Sequence, residues 1–337
     1  MTRLGRARHP EQLLALLAAH GTHRPVGFWD AYRSSLKPRE VEEPIDLWLH
    51  RTLGYVIARL SLPTPVTPNQ LTVLSIVMAI ASSICLVVPF PYHFLVSAGC
   101  LVMSAVLDCS DGMLARMRRS SSELGRMLDG AADTVSLLAT IGANAWLIYG
   151  LHRSPWWQAA LAMGGTALTV YTSQLHTLTY DHYKNVWCRL TIEGSREGED
   201  LERAVFRFAE ARRHGVGLVR HLAFRLYLGY LTSQRSFLAR LDPQTPLALD
   251  ALPPYSPTVA AIYRAHALGP MRTLRNHFGV GSLVFGIAVF DAFGRPDLYM
   301  LFRVVILNAL FWLSWAPRQR RASREAFAEA GITPRSC

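Results

Sequence analysis

Four aspartates stand at regular spacing in the stretch DCSDGMLARMRRSSSELGRMLDGAADTVSLL, which begins at residue 108. Asp108 and Asp111 are three residues apart, and Asp129 and Asp133 are four apart, so each pair projects from one face of a helix. The surrounding segments are apolar enough to span a membrane, where one carboxylate costs roughly 2.5 to 3.5 kcal/mol on insertion scales. A divalent cation would offset that cost. The two pairs therefore predict one metal site between two helices.

The residues between the aspartates indicate a ligand that contains phosphate. Gly112, Ala115 and Gly125 are small and leave room for a ligand to approach the backbone. Arg116 carries a fork of N–H donors that matches phosphate oxygens. The aspartates, the small residues and Arg116 together favour a metal-assisted reaction at a phosphate.

The same stretch resembles the signature of the CDP-alcohol phosphotransferase family, D-x2-D-G-x2-A-R-x8-G-x3-D-x3-D. Every fixed position of that signature is present: Asp108, Asp111, Gly112, Ala115, Arg116, Gly125, Asp129 and Asp133. The resemblance implies a transferase that moves a phospho-alcohol group, phosphatidyl or phosphopolyol, from a CDP-alcohol to an acceptor alcohol and releases CMP. Such an enzyme serves phospholipid, polar-lipid or polyol-phosphate biosynthesis.

The resemblance also implies roles for the individual residues. Two Mg²⁺ or Mn²⁺ ions would be held by Asp108, Asp111, Asp129 and Asp133, and Asp133 would also be the general base. Gly112, Ala115, Arg116 and Gly125 would bind the CDP-alcohol. The residue types agree with this, because carboxylate oxygens without sulfur or imidazole favour a hard cation.

The composition predicts a basic, all-α integral membrane protein. Hydrophobic residues make up 50% of the chain, the mean hydropathy is +0.17 and the formal net charge is +11. A helix needs about 20 apolar residues to cross a bilayer. Six segments meet that need, at residues 71–90, 92–108, 127–150, 155–178, 278–294 and 297–316.

The distribution of arginine predicts the orientation of these six transmembrane helices. The turn at Pro89 and Pro91 has no charge, and the turns near residues 153 and 295 carry only Arg153 and Arg295. All other loops and both tails are rich in arginine, which marks the cytoplasmic side. Both termini and the aspartate stretch are therefore expected in the cytoplasm, at a bacterial inner (plasma) membrane. The lipid bilayer explains the net charge without nucleic acid, and a homodimer is left open.

The chain outside the spans predicts three further parts. Residues 1–66 form a cytoplasmic N-terminal extension in which residues 45–60 show helical hydrophobic spacing, typical of an interfacial amphipathic helix. Residues 67–180 and 277–317 form the membrane domain, residues 181–276 a cytoplasmic or interfacial helical insertion, and residues 318–337 a cytoplasmic tail.

Other readings of the chain are weaker. The five cysteines include no C-x-x-C pair, and no H-E-x-x-H, Walker loop or dinucleotide fingerprint is present. A six-span divalent-cation transporter or a non-catalytic membrane scaffold could use the acids, but has no need for the intervening D-G-x-x-A-R and Gly125. Within the transferase class, CDP-diacylglycerol and a soluble CDP-polyol such as CDP-inositol both stay open as donors. Arg118, Arg119 and Arg126 are assigned to the positive-inside rule.

Overall fold

The computed structural model describes residues 38–118, 120, 123–193, 232–233, 235–247 and 249–332, together with residue 32. For residues 123–131 and 250 the description covers the backbone alone. The chain divides into two units, Met1–Pro38 and Arg39–Cys337, and every element below belongs to the second. Most of the predicted N-terminal extension, part of the predicted insertion and the end of the tail lie outside the described residues.

All regular elements in the described part of the chain are helices. The first helix, α1, is Arg51–Ser61, preceded by a π-helical segment at Asp46–His50. The next four are α2 Pro68–Val87, α3 His93–Arg118, α4 Glu123–His152 and α5 Trp156–Thr191. The last four are α6 Pro257–His277, α7 Val280–Ala292, α8 Pro296–Leu301 and α9 Ala316–Glu329. Two π-helical segments, Phe302–Leu307 and Leu310–Trp315, lie between α8 and α9.

The helix predicted at residues 45–60 is present, as the segment Asp46–His50 followed by α1. Trp48, Leu53 and Leu60 are exposed along it, whereas Tyr55 and Ala58 are buried. An exposed apolar side suits a helix that lies at a membrane surface, but this position stays a prediction.

Small hydroxyl residues bring α2 and α3 together. The hydroxyl of Ser104 on α3 donates to the Ser75 carbonyl at 2.8 Å, and that of Ser97 donates to the Ser82 carbonyl at 2.9 Å. Small side chains let two apolar helices approach closely without a hydrophobic driving force from water. Helix α2 packs against α4 as well as α3, so it lies beside both helices that carry the aspartates.

A second core joins α5 and α6 to the C-terminal helix α9 and to residues 235–241. Trp187, Phe278, Phe311 and Trp315 are among its largest fully buried side chains. Helix α5 has 36 residues, a length of about 54 Å, which exceeds the roughly 30 Å of a bilayer core. The domain boundary predicted at residue 180 lies inside this helix, and the one at residue 317 lies inside α9.

Four helices in the described residues are long and apolar enough to cross a membrane: Pro68–Val87, His93–Arg118, Ala132–His152 and the continuous Pro296–Glu329. They correspond to four of the six predicted spans. The prediction at 155–178 falls on α5, which is long enough but less apolar, and the prediction at 278–294 falls on α7, which has only 13 residues. A membrane-embedded all-helical protein is therefore supported, and the number of six spans is not confirmed.

The three weakly charged turns meet at one end of the helices. His152 at the end of α4 lies 3.2 Å from Asp297 at the start of α8, and Arg295 pairs with the same carboxylate at 2.9 Å. A side chain at Gly294, which has a φ of 64°, would collide with Phe94 at the start of α3. The turns near residues 90, 153 and 294 thus share one side, as the arginine distribution predicts, while the link between α3 and α4 lies at the opposite helix ends.

Candidate active site

Asp108 and Asp111 lie one turn apart on α3, close to its C-terminal end. Asp111 is 7% exposed, and the Thr72 hydroxyl of α2 donates a hydrogen bond to its Oδ2. A carboxylate that is oriented by a neighbouring hydroxyl presents its other oxygen in a fixed direction, as outer-shell partners do at metal sites. Thr72 therefore belongs to the candidate site.

The N-terminus of α2 explains how Thr72 reaches Asp111. Thr67 caps this helix by accepting from the Gln70 backbone N–H, and the Thr67 backbone N–H donates to Oε1 of Gln70 at 2.8 Å, with Pro68 in the first turn. This capping box fixes the helix start, and Thr72 follows one turn later with its hydroxyl 3.2 Å from the Pro68 carbonyl. The stretch TPNQLT marks a helix start, but nothing in the sequence links Thr72 to an acid 39 residues away.

Gly112 borders the guanidinium of Arg116. A Cβ added at Gly112 would meet only Nη1 of Arg116, at 3.5 Å, which is an ordinary van der Waals contact. Packing with the described neighbours therefore does not require glycine at this position. Ala115 is half-buried and Arg116 is exposed on the same helix, and Asp111 and Glu42 are attractive electrostatic neighbours of Arg116.

The second pair of aspartates lies on α4. Asp133 is exposed, and Asp129 lies one turn before it on the same helix. The side chain of Asp129 and the surroundings of Gly125 lie outside the described residues, so the convergence of all four carboxylates stays a prediction. Among the side chains that are described, no group of three His, Cys, Asp or Glu is arranged to hold a metal ion.

The donor set nevertheless suits a hard cation. Two carboxylates share one face of α3, and Thr72 orients one of them. Oxygen ligands of this kind favour Mg²⁺ or Mn²⁺ over softer metals. The chemistry of the side chains therefore fits the divalent ions that the sequence predicts.

Arg118 has a structural role that the sequence did not reveal. Its guanidinium donates to the carbonyls of Ser61 and Thr64 at 2.8 and 2.7 Å, and to those of Leu62 and Val66. One side chain thus holds the whole link between α1 and α2. Arg118 fixes the start of α2, and with it Thr72, rather than acting only as a positive charge at the membrane surface.

Comparison with known proteins adds to this geometry. Residues 65–188 match the family model described as CDP-alcohol phosphatidyltransferase. That region, just over a third of the chain, contains α2, α3, α4 and most of α5.

Three relatives each match part of the chain. A Thermococcus kodakarensis protein described as a bifunctional IPC transferase and DIPP synthase is 31% identical over 157 residues, which is 44% of this chain and 34% of that protein. A phosphatidylinositol phosphate synthase from Corynebacterium glutamicum is 34% identical over 100 residues, 29% of this chain and 44% of its own. A Danio rerio cholinephosphotransferase 1 is 32% identical over 104 residues, 28% of this chain and 27% of its own. The aligned parts span less than half the length of each relative.

Proposed function

We propose that the protein transfers a phospho-alcohol group from a CDP-alcohol to an acceptor alcohol and releases CMP, since residues 65–188 match the family model described as CDP-alcohol phosphatidyltransferase. The observation that carries the proposal is the complete eight-position signature, with Asp108 and Asp111 on one face of α3 beside Thr72 and Arg116. The three relatives bear the names of different substrates. They therefore support the reaction class and leave donor and acceptor open.

The proposed mechanism assigns a task to each residue. Asp108, Asp111, Asp129 and Asp133 would hold Mg²⁺ or Mn²⁺, which would neutralise charge on the phosphates and on the departing CMP. Arg116 binds a phosphate oxygen of the donor, and Thr72 keeps Asp111 oriented. Asp133 accepts the proton of the acceptor hydroxyl as its oxygen forms a bond to phosphorus and the bond from phosphorus to the CMP oxygen breaks.

The proposed location follows from the same chemistry. CMP release from a cytidine nucleotide requires access from the cytoplasm, and the arginine-rich end of the helices contains the aspartates. We therefore place the site at the cytoplasmic face of a bacterial inner membrane, with a lipid bilayer as the surrounding solvent.

The direct test is CMP release by the purified full chain. The protein is incubated with Mn²⁺, a panel that includes CDP-diacylglycerol and CDP-inositol, and a panel of acceptor alcohols. Asp108→Asn, Asp111→Asn and Asp129→Asn should each abolish release, because a lost charged ligand weakens the shared metal site and the electrostatic stabilisation that it provides. EDTA should have the same effect, reversed by excess Mn²⁺.

Asp181→Asn is the matched control for these variants. Asp181 is exposed on α5, where it pairs with Lys184 at 2.7 Å, and it lies outside the signature. This variant should retain wild-type turnover. Wild-type CMP release in any of the three signature variants, or in the presence of EDTA, would contradict the proposed metal site.

A further inference from the structure

Helix α1 touches the signature helix at Gly54. A Cβ at this position would lie 3.1 Å from both the Cβ of Cys109 and the carbonyl oxygen of Val106, so a side chain here would require the two helices to shift apart by a few tenths of an ångström. Arg51 precedes Gly54 by three residues and so lies on the same face of α1, one turn away. The crossing of the two helices thus brings Arg51 to the part of α3 that carries Asp108 and Asp111.

Arg51 is held in place and kept charged. Its Nη1 lies 3.1 Å from Oε1 of Glu42, whose side chain is 3% exposed, while a quarter of the Arg51 side chain stays exposed. Burial opposes the charged form of Arg51, but its electrostatic neighbours, with Glu42 first among them, raise the pKa of Arg51. The Arg51 Nε is buried and has no hydrogen-bond partner.

Arg116 is a like-charged neighbour of Arg51. The two guanidinium groups interact unfavourably, and Glu42 and Asp111 lie within electrostatic reach of Arg116. Within the described residues Arg116 makes no hydrogen bond or ion pair. Of the two neighbouring positive charges, Arg51 is in an ion pair and Arg116, within the described residues, is not. This arrangement favours the binding of an anion. The planar forks of two guanidinium groups suit the oxygens of a phosphate.

We propose that Arg51 and Arg116 together form a phosphate subsite of the active site, in which Glu42 positions Arg51. This inference rests on the proposed function and adds to it a substrate-binding residue from outside the signature. The bound group is a phosphate, supplied either by the CDP moiety of the donor or by a phosphorylated acceptor alcohol. The alternative is a purely structural role, in which the Arg51–Glu42 ion pair only stabilises the packing of α1 against the membrane domain.

Binding of unreactive probes separates these two readings. Affinities for CDP and for cytidine are measured with Mn²⁺ on the purified full chain in detergent. Arg51→Gln should weaken CDP binding about 10-fold to 100-fold, the usual range for charge-assisted hydrogen bonds, and leave cytidine binding unchanged. Arg51→Lys keeps the charge and the pair with Glu42, so the protein should melt as the wild type does and still lose part of its CDP affinity.

Arg59→Gln is the matched control, since Arg59 is an exposed arginine on the same helix. It should leave CDP affinity unchanged. If Arg51→Gln lowers the melting temperature, the Arg51→Lys variant decides, because it tests phosphate geometry without removing the ion pair.

Steady-state kinetics then identify the source of the phosphate. If the subsite binds a phosphate of the donor, the affinity of the Arg51 variants for CDP falls as stated above. If it binds a phosphate of the acceptor, these variants retain their CDP affinity, and their KM rises at least 10-fold for inositol 1-phosphate but not for myo-inositol. Unchanged CDP affinity together with unchanged KM for both alcohols in Arg51→Gln and Arg51→Lys would overturn the subsite. A wild-type protein that releases no CMP from any donor would instead refute the proposed function, while the CDP and cytidine affinities still test the subsite.

Discussion

Individual residues of the signature are expected to divide into ligands and a base. Asp111 is oriented by Thr72, whereas Asp133 is exposed on a separate helix. An exposed carboxylate at the end of the series is accessible to the hydroxyl of an acceptor alcohol. Binding and proton transfer should therefore be separable by mutation.

The Asp133→Asn variant tests this separation. We expect turnover to fall by about 10² to 10⁴, the usual contribution of a positioned base, with affinity for CDP and Mn²⁺ largely retained. Turnover and CDP binding are measured on one preparation. A collapse of nucleotide affinity in parallel with turnover would make Asp133 chiefly a ligand and place the base elsewhere.

Gly112 and Gly54 provide a contrast between space for a ligand and space for packing. Among the described residues, a Cβ at Gly112 meets only the flexible end of Arg116, whereas a Cβ at Gly54 meets Cys109 and Val106 at 3.1 Å. Gly112→Ala should keep or raise thermal stability, since alanine favours a helix interior by roughly 0.5 to 1 kcal/mol, and should lose affinity for CDP-alcohols. Gly54→Ala should lower the melting temperature.

The same preparations give both readouts for these variants. Gly112→Leu should abolish binding if volume at this position matters. A stable Gly112→Ala protein with unchanged CDP-alcohol affinity would remove Gly112 from the site and leave Thr72, the aspartates and Arg116.

At the scale of elements, Glu43 ties the segment before α1 to the start of α7. Its carboxylate accepts hydrogen bonds from the backbone N–H groups of Gly281 and Ser282 at 3.0 and 2.7 Å, and from the Ser282 hydroxyl at 2.7 Å. Asp46 also approaches the Gly281 backbone so closely that a Cβ there would collide with it. One carboxylate thus caps a helix that lies far away in sequence.

Burial and the neighbouring Asp46 raise the pKa of Glu43 to about 7, although its hydrogen bonds act in the opposite direction. The folded protein then binds the Glu43 proton more tightly than the unfolded chain, so this group favours the folded state below about pH 4.5 and progressively less as the pH rises to about 7. The change is of order 3 kcal/mol at most, at 1.36 kcal/mol per unit.

Thermal unfolding in detergent between pH 4 and pH 8 checks this prediction. Glu43→Gln should flatten the dependence of the melting temperature on pH, and Glu193→Gln, a change at an exposed residue, should leave it as in the wild type. His50 pairs with Asp46 at 2.9 Å, and Asp46 is a neighbour of Glu43, so the His50→Gln variant is measured alongside. Equal pH dependence in wild type and Glu43→Gln would contradict the assignment.

For the whole molecule, the contacts around Asp297 and Gly294 group the weakly charged turns at one end. Which side of the membrane that end faces is a prediction from arginine distribution. In a variant without native cysteines, an impermeant thiol reagent added to intact cells should label Arg153→Cys and Phe293→Cys. It should label Ser120→Cys, in the link between α3 and α4, only after permeabilisation.

Ser120 and Phe293 are exposed, so accessibility reports sidedness rather than burial. Phe293 is used in place of Arg295, whose ion pair with Asp297 would be lost. Labelling of Ser120→Cys in intact cells without labelling of Arg153→Cys would invert the orientation and put the candidate site on the wrong side for CDP-alcohols.

The sequence by itself determined the all-helical fold class, the signature and the grouping of the turns, whereas the number of spans is not confirmed. Helical periodicity, the Thr67–Gln70 capping box and the spacing of Asp108 and Asp111 are local properties, and local interactions decide them. The same applies to the scarcity of charge near Arg153 and Arg295. The predicted helix before the first span and the all-helical fold class follow from these patterns.

Only the tertiary structure decided which distant residues accompany the signature. Thr72 reaches Asp111 across 39 residues, Arg118 reaches Val66 across 52, and Glu43 reaches Gly281 across 238. No spacing rule links such residues, because these contacts exist only once the helices cross at positions where small side chains permit close approach. Nothing in the sequence singles out Gly54, and packing makes it the point at which α1 crosses the helix that carries Asp108 and Asp111.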